Sequence, residues 1–159
     1  MPPIDFIADT SAVVRHLRRD LSVEPFFAGK RFAITFVTLA ELSVGVLKAQ
    51  NPEAAWKRVL EVLRGVEMFL SSDLTPMIYA GVYHDLEQRG SLIPINDIWI
   101  AALCIEAQLP VLARDAHFSR VPNLEVIKLL TPTNGLTMRC MALAFRSVGE
   151  WGGRGESGG

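Results

Sequence analysis

The stretch Ile4-Asp5-Phe6-Ile7-Ala8-Asp9-Thr10-Ser11 reads as a short apolar strand that ends on an acid and hands over to a helix. The strand-like run closes at Asp9, and the spacing beyond it predicts a helix from about Ser11 to Arg19. The same alternation recurs along the chain. Phe32, Ile34 and Phe36 carry the period-2 signal of a strand, after which Thr38 opens a helix with Leu39, Leu42 and Val46 on one face. Pro52 suits the first turn of the next helix, whose stripe is Val59, Val62, Leu63 and Val66. A third strand is expected over Glu67–Ser71, and Thr75-Pro76 and Gly90 mark the start and stop of a further helix. Asn96 can cap an apolar helix from Asp97 to Ala107. Val111–Ala113 and Leu124–Ile127 read as short strands around a turn at Asp115–Ser119. Strands alternating with helices define an α/β fold with a mostly parallel sheet, because parallel neighbours need crossover helices.

At 159 residues, half of them hydrophobic, the chain can fill one sizeable core and is too short for two comfortable domains. With 16 Lys and Arg against 17 Asp and Glu, the formal charge is −1. That balance excludes binding nucleic acid by bulk positive charge, so any such contact must be local. Cys104 and Cys140 form no CxxC pair and read as small hydrophobes in a reducing compartment. The amino-terminal residues lack the layout of a signal peptide, and no apolar run approaches the roughly 20 residues that span a bilayer. A soluble cytoplasmic protein is expected.

Acids recur where this map ends a strand or starts a helix: Asp9, Glu41, Asp97 and Asp115. In open α/β sheets, side chains converge in the crevice beyond the carboxyl ends of the strands. Four carboxylates brought together there would repel one another unless protonated or neutralised by a cation. Oxygen donors without His or Cys select a hard ion, Mg²⁺ or Mn²⁺ in its place. Local structural roles compete with this reading at each position. Asp9 can cap the first helix, Asp97 can complement a helix dipole, and Asp115 can be a turn residue. Thr38-Leu39-Ala40-Glu41 fits a capping box, in which Glu41 would reach back to the Thr38 N–H.

The joint pattern decides between them. Ile4 to Ser11, Thr38-Leu39-Ala40-Glu41-Leu42, Ile95-Asn96-Asp97-Ile98-Trp99-Ile100-Ala101-Ala102 and Leu112-Ala113-Arg114-Asp115-Ala116-His117-Phe118 resemble the successive acidic motifs of PIN-domain ribonucleases. Within that superfamily the chain looks most like the VapC toxins of bacterial toxin–antitoxin pairs. Leu86-Glu87-Gln88-Arg89-Gly90 and Phe118 to Val126 are similar to that group too. The resemblance implies a three-layer sandwich, a central parallel sheet of about five strands flanked by helices, with a nuclease domain over residues 1–130. Residues 131–150 form an extension with helical composition, and 151–159 a Gly-rich tail expected to be disordered.

The resemblance also implies an activity: Mg²⁺-dependent hydrolysis of RNA, with Asp9, Glu41, Asp97 and Asp115 as the catalytic and metal-binding acids. Asp9 and Asp97 are expected as principal ligands, and Glu41 to hold a second ion or orient the attacking water. Ser11 would support the pocket, and Arg15 and Arg114 would contact substrate phosphates. His117 reads as packed or exposed, since a metal-activated water needs no histidine base. Ala113 stands where relatives often carry Thr or Ser, so Asp115 is expected to be less firmly held. The implied partners are an RNA substrate, a VapB-type antitoxin and a second copy in a homodimer, for which the stripe Ile78, Tyr79, Val82, Tyr83 and Leu86 offers a face. A housekeeping RNA-processing nuclease and a catalytically inert PIN-fold binding module are the competing functions. A phosphate-accepting receiver domain fits Asp73 and Lys128 but leaves Glu41 and Asp97 unexplained.

Overall fold

Strand β1, Phe6–Ala8, lies at the centre of a five-stranded sheet ordered β3-β2-β1-β4-β5, every neighbouring pair parallel. The computed structural model describes residues 3–129. The elements are β1, α1 (Thr10–Leu17), α2 (Glu24–Phe27), β2 (Phe32–Thr35), α3 (Phe36–Leu47), α4 (Pro52–Val62), β3 (Glu67–Phe69), α5 (Thr75–Gln88), α6 (Ile95–Ala107), β4 (Val111–Ala113), a 3-10 turn (Ala116–Arg120) and β5 (Val126–Lys128). Residues 131–150, 151–159 and Cys140, each read from the sequence, lie outside the described residues.

Strand periodicity sorts the core into two layers. Phe6, Ala8, Ile34 and Leu112 face one side, where they pack with Ala12, Val13, Phe27, Leu42 and Val59 of α1 to α4. Ile7, Ala33, Val111 and Ala113 face the other, against Val82 and Leu86 of α5 and Ile98, Ala101 and Cys104 of α6. Helices thus cover both faces, as an all-parallel sheet requires. The expected sandwich is the one observed.

Several boundaries differ from the sequence reading. Strand β2 stops at Thr35, so Phe36 belongs to α3 and Thr38 lies inside that helix. Thr35 is the cap: its Oγ1 accepts from the Thr38 N–H at 3.1 Å. Phe36 carries the strand's alternation but is exposed on the helix. Helix α6 begins at Ile95, behind Pro94, and no side-chain hydrogen bond caps it. β3 and β5 are three residues each, and the one-turn α2 has no counterpart in the sequence reading.

Helix α5 begins at Thr75-Pro76 and ends before Gly90, whose φ of 59° suits the residue without a Cβ. Its stripe is turned inward: Val82 and Leu86 are buried and Ile78, Tyr79 and Tyr83 pack against the same core layer. Tyr79 stacks on Trp99 at 4.1 Å between centroids, which accounts for Trp99 as a packing residue. No helix among the described residues is long and apolar enough to cross a membrane.

Candidate active site

The carboxyl ends of β1 and β4 are adjacent, and the Asp9 N–H closes the ladder onto the Leu112 carbonyl at 3.0 Å. Asp9 is therefore the first residue past the sheet and, at the same time, the cap of α1. Its Oδ2 accepts from the Ser11 N–H at 3.1 Å and the Ser11 hydroxyl at 2.7 Å. Capping and site placement coincide in one side chain. Asp9 is only 5% exposed. Burial pushes its pKa up; the two Ser11 hydrogen bonds oppose that, and the Glu41 charge adds to it.

Glu41 lies in the second turn of α3, and the capping-box reading fails because Thr35, not Thr38, caps the helix. Its carboxylate is held by other elements instead. Thr10 Oγ1 donates to Oε2, and Asn96 Nδ2 donates to Oε1 at 2.7 Å. Asn96 spends its amide on Glu41, so it does not cap α6.

Asp97 stands in the first turn of α6, where the helix dipole favours its charge. Burial nevertheless pushes its pKa up to about 6, helped by the Asp9 charge and, more weakly, by Glu41. His117 Nδ1 opposes the shift from 3.3 Å away from Oδ2. Three of the four sequence-predicted acids thus sense one another across β1, α3 and α6.

The fourth does not join them in the same way. Asp115 starts the 3-10 turn and is exposed, and among the described residues no hydrogen bond or ion pair fixes its carboxylate. Ala113, buried in β4, offers it no hydroxyl. Ser11 Oγ reaches this strand end instead, accepting from the Arg114 N–H at 3.3 Å. The two arginines diverge. Arg15 is turned to Ser22 Oγ at 3.2 Å and Asp20 Oδ2 at 3.4 Å, on the loop after α1. Arg114 is exposed at the mouth of the site.

Thr10, Asn96 and His117 were not legible as site residues. The first two adjoin Asp9 and Asp97 in sequence, which is a usable signal. His117 follows Asp97 by 20 positions, and nothing in that spacing points to contact.

The donor set suits a hard divalent cation, since it consists of carboxylate oxygens and two of the carboxylates, Asp9 and Asp97, are disfavoured as anions by burial and by neighbouring carboxylates. Cys104 beneath them is a buried thiol whose ionisation burial opposes, so sulfur is no competitor. Among the described residues, no three His, Cys, Asp or Glu side chains already close around one point. Glu41 and Asp97 are instead held by Thr10, Asn96 and His117 at the edges of an open group.

A profile of the PIN domain matches residues 6–124, a span that includes all four acids. The chain belongs to the PIN domain family. Within it, the chain falls with the VapC proteins. It is 32% identical to Ribonuclease VapC4 of Mycobacterium tuberculosis over 105 residues, covering 65% of this chain and 81% of that one. It is 33% identical to Ribonuclease VapC5 of the same organism over 102 residues, 63% and 76% of the two chains. Among solved structures, VapBC-5 of M. tuberculosis, a member of the VapBC family of toxin–antitoxin systems, aligns at 32% identity. Its TM-score is 0.62, and the alignment covers 79% of this chain and 99% of that one. VapBC2 of Rickettsia felis, bound to a DNA fragment from its promoter, aligns with a TM-score of 0.72 at 26% identity over 77% and 97%.

Proposed function

We propose that this chain is the toxin of a toxin–antitoxin pair, a Mg²⁺-dependent endoribonuclease that hydrolyses RNA phosphodiester bonds in the cytoplasm. The observation that carries the reading is the convergence of Asp9, Glu41 and Asp97 beyond the carboxyl ends of a parallel sheet, with Asp97 held near 6 by burial and by its acidic neighbours. A purely structural cluster would gain nothing from that repulsion. The VapC names of its relatives supply the substrate class, and the VapBC complexes among its structural neighbours support a VapB-type antitoxin as partner.

Asp9 and Asp97 are the principal ligands in this reading, Asp9 stiffened by Ser11. When bound, Mg²⁺ would lower the pKa of water and neutralise charge developing on the phosphate. Glu41, held on both oxygens by Thr10 and Asn96, orients the attacking water. Water adds to phosphorus, one P–O bond breaks, and the proton ends on the leaving oxygen. Asp115, exposed just past β4, would ligate the ion directly or through water, and Arg114 beside it would pair with an RNA phosphate. A homodimer is part of the proposal; on α5, Val82 and Leu86 are buried in the core while Ile78, Tyr79 and Tyr83 remain only partly buried.

Purified wild-type and Asp9→Asn protein, incubated with total cellular RNA in Mg²⁺ and then EDTA, test the chemistry. The expected result is cleavage by the wild type in Mg²⁺ alone. Equal cutting by both proteins, or cutting in EDTA, would overturn it. Expression in growing cells tests the toxin role: arrest by the wild type and none by Asp9→Asn is expected, and unimpaired growth with active nuclease would favour an RNA-processing enzyme.

A further inference from the structure

Among the described residues, His117 is an ionisable side chain beside Asp97 that the acid motif leaves without a task. It sits on the second residue of the 3-10 turn after β4, and that turn is clamped at both sides of it. Phe118, next in sequence, is fully buried in the layer beneath α6, which anchors the turn. Arg89 Nη2, at the end of α5, donates to the Arg120 carbonyl at 3.1 Å, and the Val121 N–H closes on the Phe118 carbonyl at 3.1 Å. The imidazole is thus presented from a fixed backbone, with Nδ1 3.3 Å from Asp97 Oδ2.

We propose that His117 is a positioning residue that holds the Asp97 carboxylate in a single orientation toward a bound divalent cation, acting through Asp97 and not on the RNA. The proposal rests on the reading of Asp97 as a metal ligand. The geometry supports it in three ways. The contact engages Oδ2 alone, and among the described residues Oδ1 accepts no hydrogen bond, so one oxygen is anchored while the other stays available as a donor. The 3.3 Å separation is at the long end for N–H···O, so the contact sets orientation more than it adds stability. Among the described residues no backbone N–H fixes Asp97, whereas Asp9 is fixed by Ser11 and Glu41 by Thr10 and Asn96. His117 therefore completes a set in which each of the three converging acids is oriented by a neighbouring donor. Hydrogen-bond partners of metal-ligating side chains typically contribute about 10–100-fold in metal affinity or activity.

The test uses full-length protein and Mn²⁺ as the probe, with affinity measured by calorimetry for the wild type and for His117→Ala, His117→Asn, His117→Gln and Asp97→Asn. Thermal unfolding of each metal-free protein checks folding. The expected result is about tenfold or greater weakening of Mn²⁺ binding in His117→Ala. Asparagine should restore it, because its Nδ2–H falls close to where the imidazole Nδ1–H lies. Glutamine, whose amide is one bond further out, should restore less. Cleavage should follow the same order through the Mn²⁺ concentration needed for half activity. Wild-type affinity in His117→Ala, alongside loss in Asp97→Asn, would overturn the role of His117 and leave the metal reading standing. Equal loss in His117→Ala and His117→Asn at unchanged melting temperature would overturn it too. A wild type that binds Mn²⁺ no better than Asp97→Asn would overturn the metal reading, and this proposal with it.

Discussion

Asn96 Nδ2 donates to Glu41 Oε1 across 2.7 Å, joining the first turn of α6 to the second turn of α3 between residues 55 positions apart. Thr10, the first residue of α1, takes the other carboxylate oxygen. Three elements therefore meet on one side chain, and the direction of Glu41 is a property of the tertiary structure and not of its own helix.

Removing one of those donors should affect reaction more than folding. Asn96 is exposed, and surface substitutions usually change stability by no more than about 0.5 kcal/mol. Asn96→Ala is expected to lower the initial rate of RNA cleavage about tenfold with little change in melting temperature. Asn96→Asp sets a second carboxylate against Glu41 and should lower it further. A wild-type rate in Asn96→Ala would mean that the orientation of Glu41 does not matter to the reaction.

The acidic group should also leave a signature in stability. Asp97 is held at about 6, above its ordinary value of 3.8, by burial first and the Asp9 charge second. The folded state then holds this proton more tightly than the unfolded chain does. Stability from this group is present below about pH 4 and falls as pH rises toward 6, by on the order of 2–3 kcal/mol in all. Asp9 acts in the same direction. Urea unfolding of the metal-free protein should show the wild type losing stability between pH 4.5 and 7 relative to Asp97→Asn, and Mg²⁺ at pH 7.5 should restore part of it. Parallel pH profiles for the two proteins would contradict the shift.

Much of this arrangement was legible in the sequence, for definite reasons. The five strands and their helices follow from hydrophobic period, and Asp9 and Asp97 are marked by standing where a strand ends and a helix begins. What failed were assignments in which one polar residue had two local uses. Phe36 continues the alternation of β2, yet Thr35 caps a helix first and turns the chain. Thr38 and Glu41 match a capping box, yet the cap is already supplied, which frees Glu41 for Thr10 and Asn96. Asn96 matches a cap and makes a long-range bond instead. His117 reads from the sequence as packed or exposed, because its contact with Asp97 depends on how the 3-10 turn packs on α6, and no local pattern encodes that.

The cap of α3 is open to direct measurement. Thr35 and Thr38 are both fully buried, and Thr35 Oγ1 serves the Thr38 N–H and lies 3.1 Å from the Thr38 hydroxyl. Thr35→Ala removes the only side-chain acceptor shown for that N–H and should cost about 1–2 kcal/mol in urea unfolding. Thr35→Ser keeps the oxygen and should recover most of the loss. Equal stability of the two variants would show that the cap contributes nothing.

A third buried threonine separates stability from reaction. Thr75, at the start of α5, is fully buried; its Oγ1 accepts from the Ser72 N–H at 2.8 Å and donates to Glu106 Oε2 at 2.5 Å. The Ser72 hydroxyl donates to the other Glu106 oxygen at 2.5 Å. One carboxylate near the end of α6 thereby pins the beginning of α5, at the terminus where the helix dipole favours negative charge. Glu106→Ala would strand the Thr75 hydroxyl without its acceptor, at a cost of about 1–3 kcal/mol. Glu106→Gln keeps an acceptor and loses the charge, so it should fall between alanine and wild type. Glu106 lies nine residues beyond Asp97, about 13 Å along the helix axis, and RNA cleavage at a temperature where both variants remain folded should match the wild type. A lost activity in folded Glu106→Gln would mean instead that the α5–α6 junction is coupled to the acidic group at the far end of the helix.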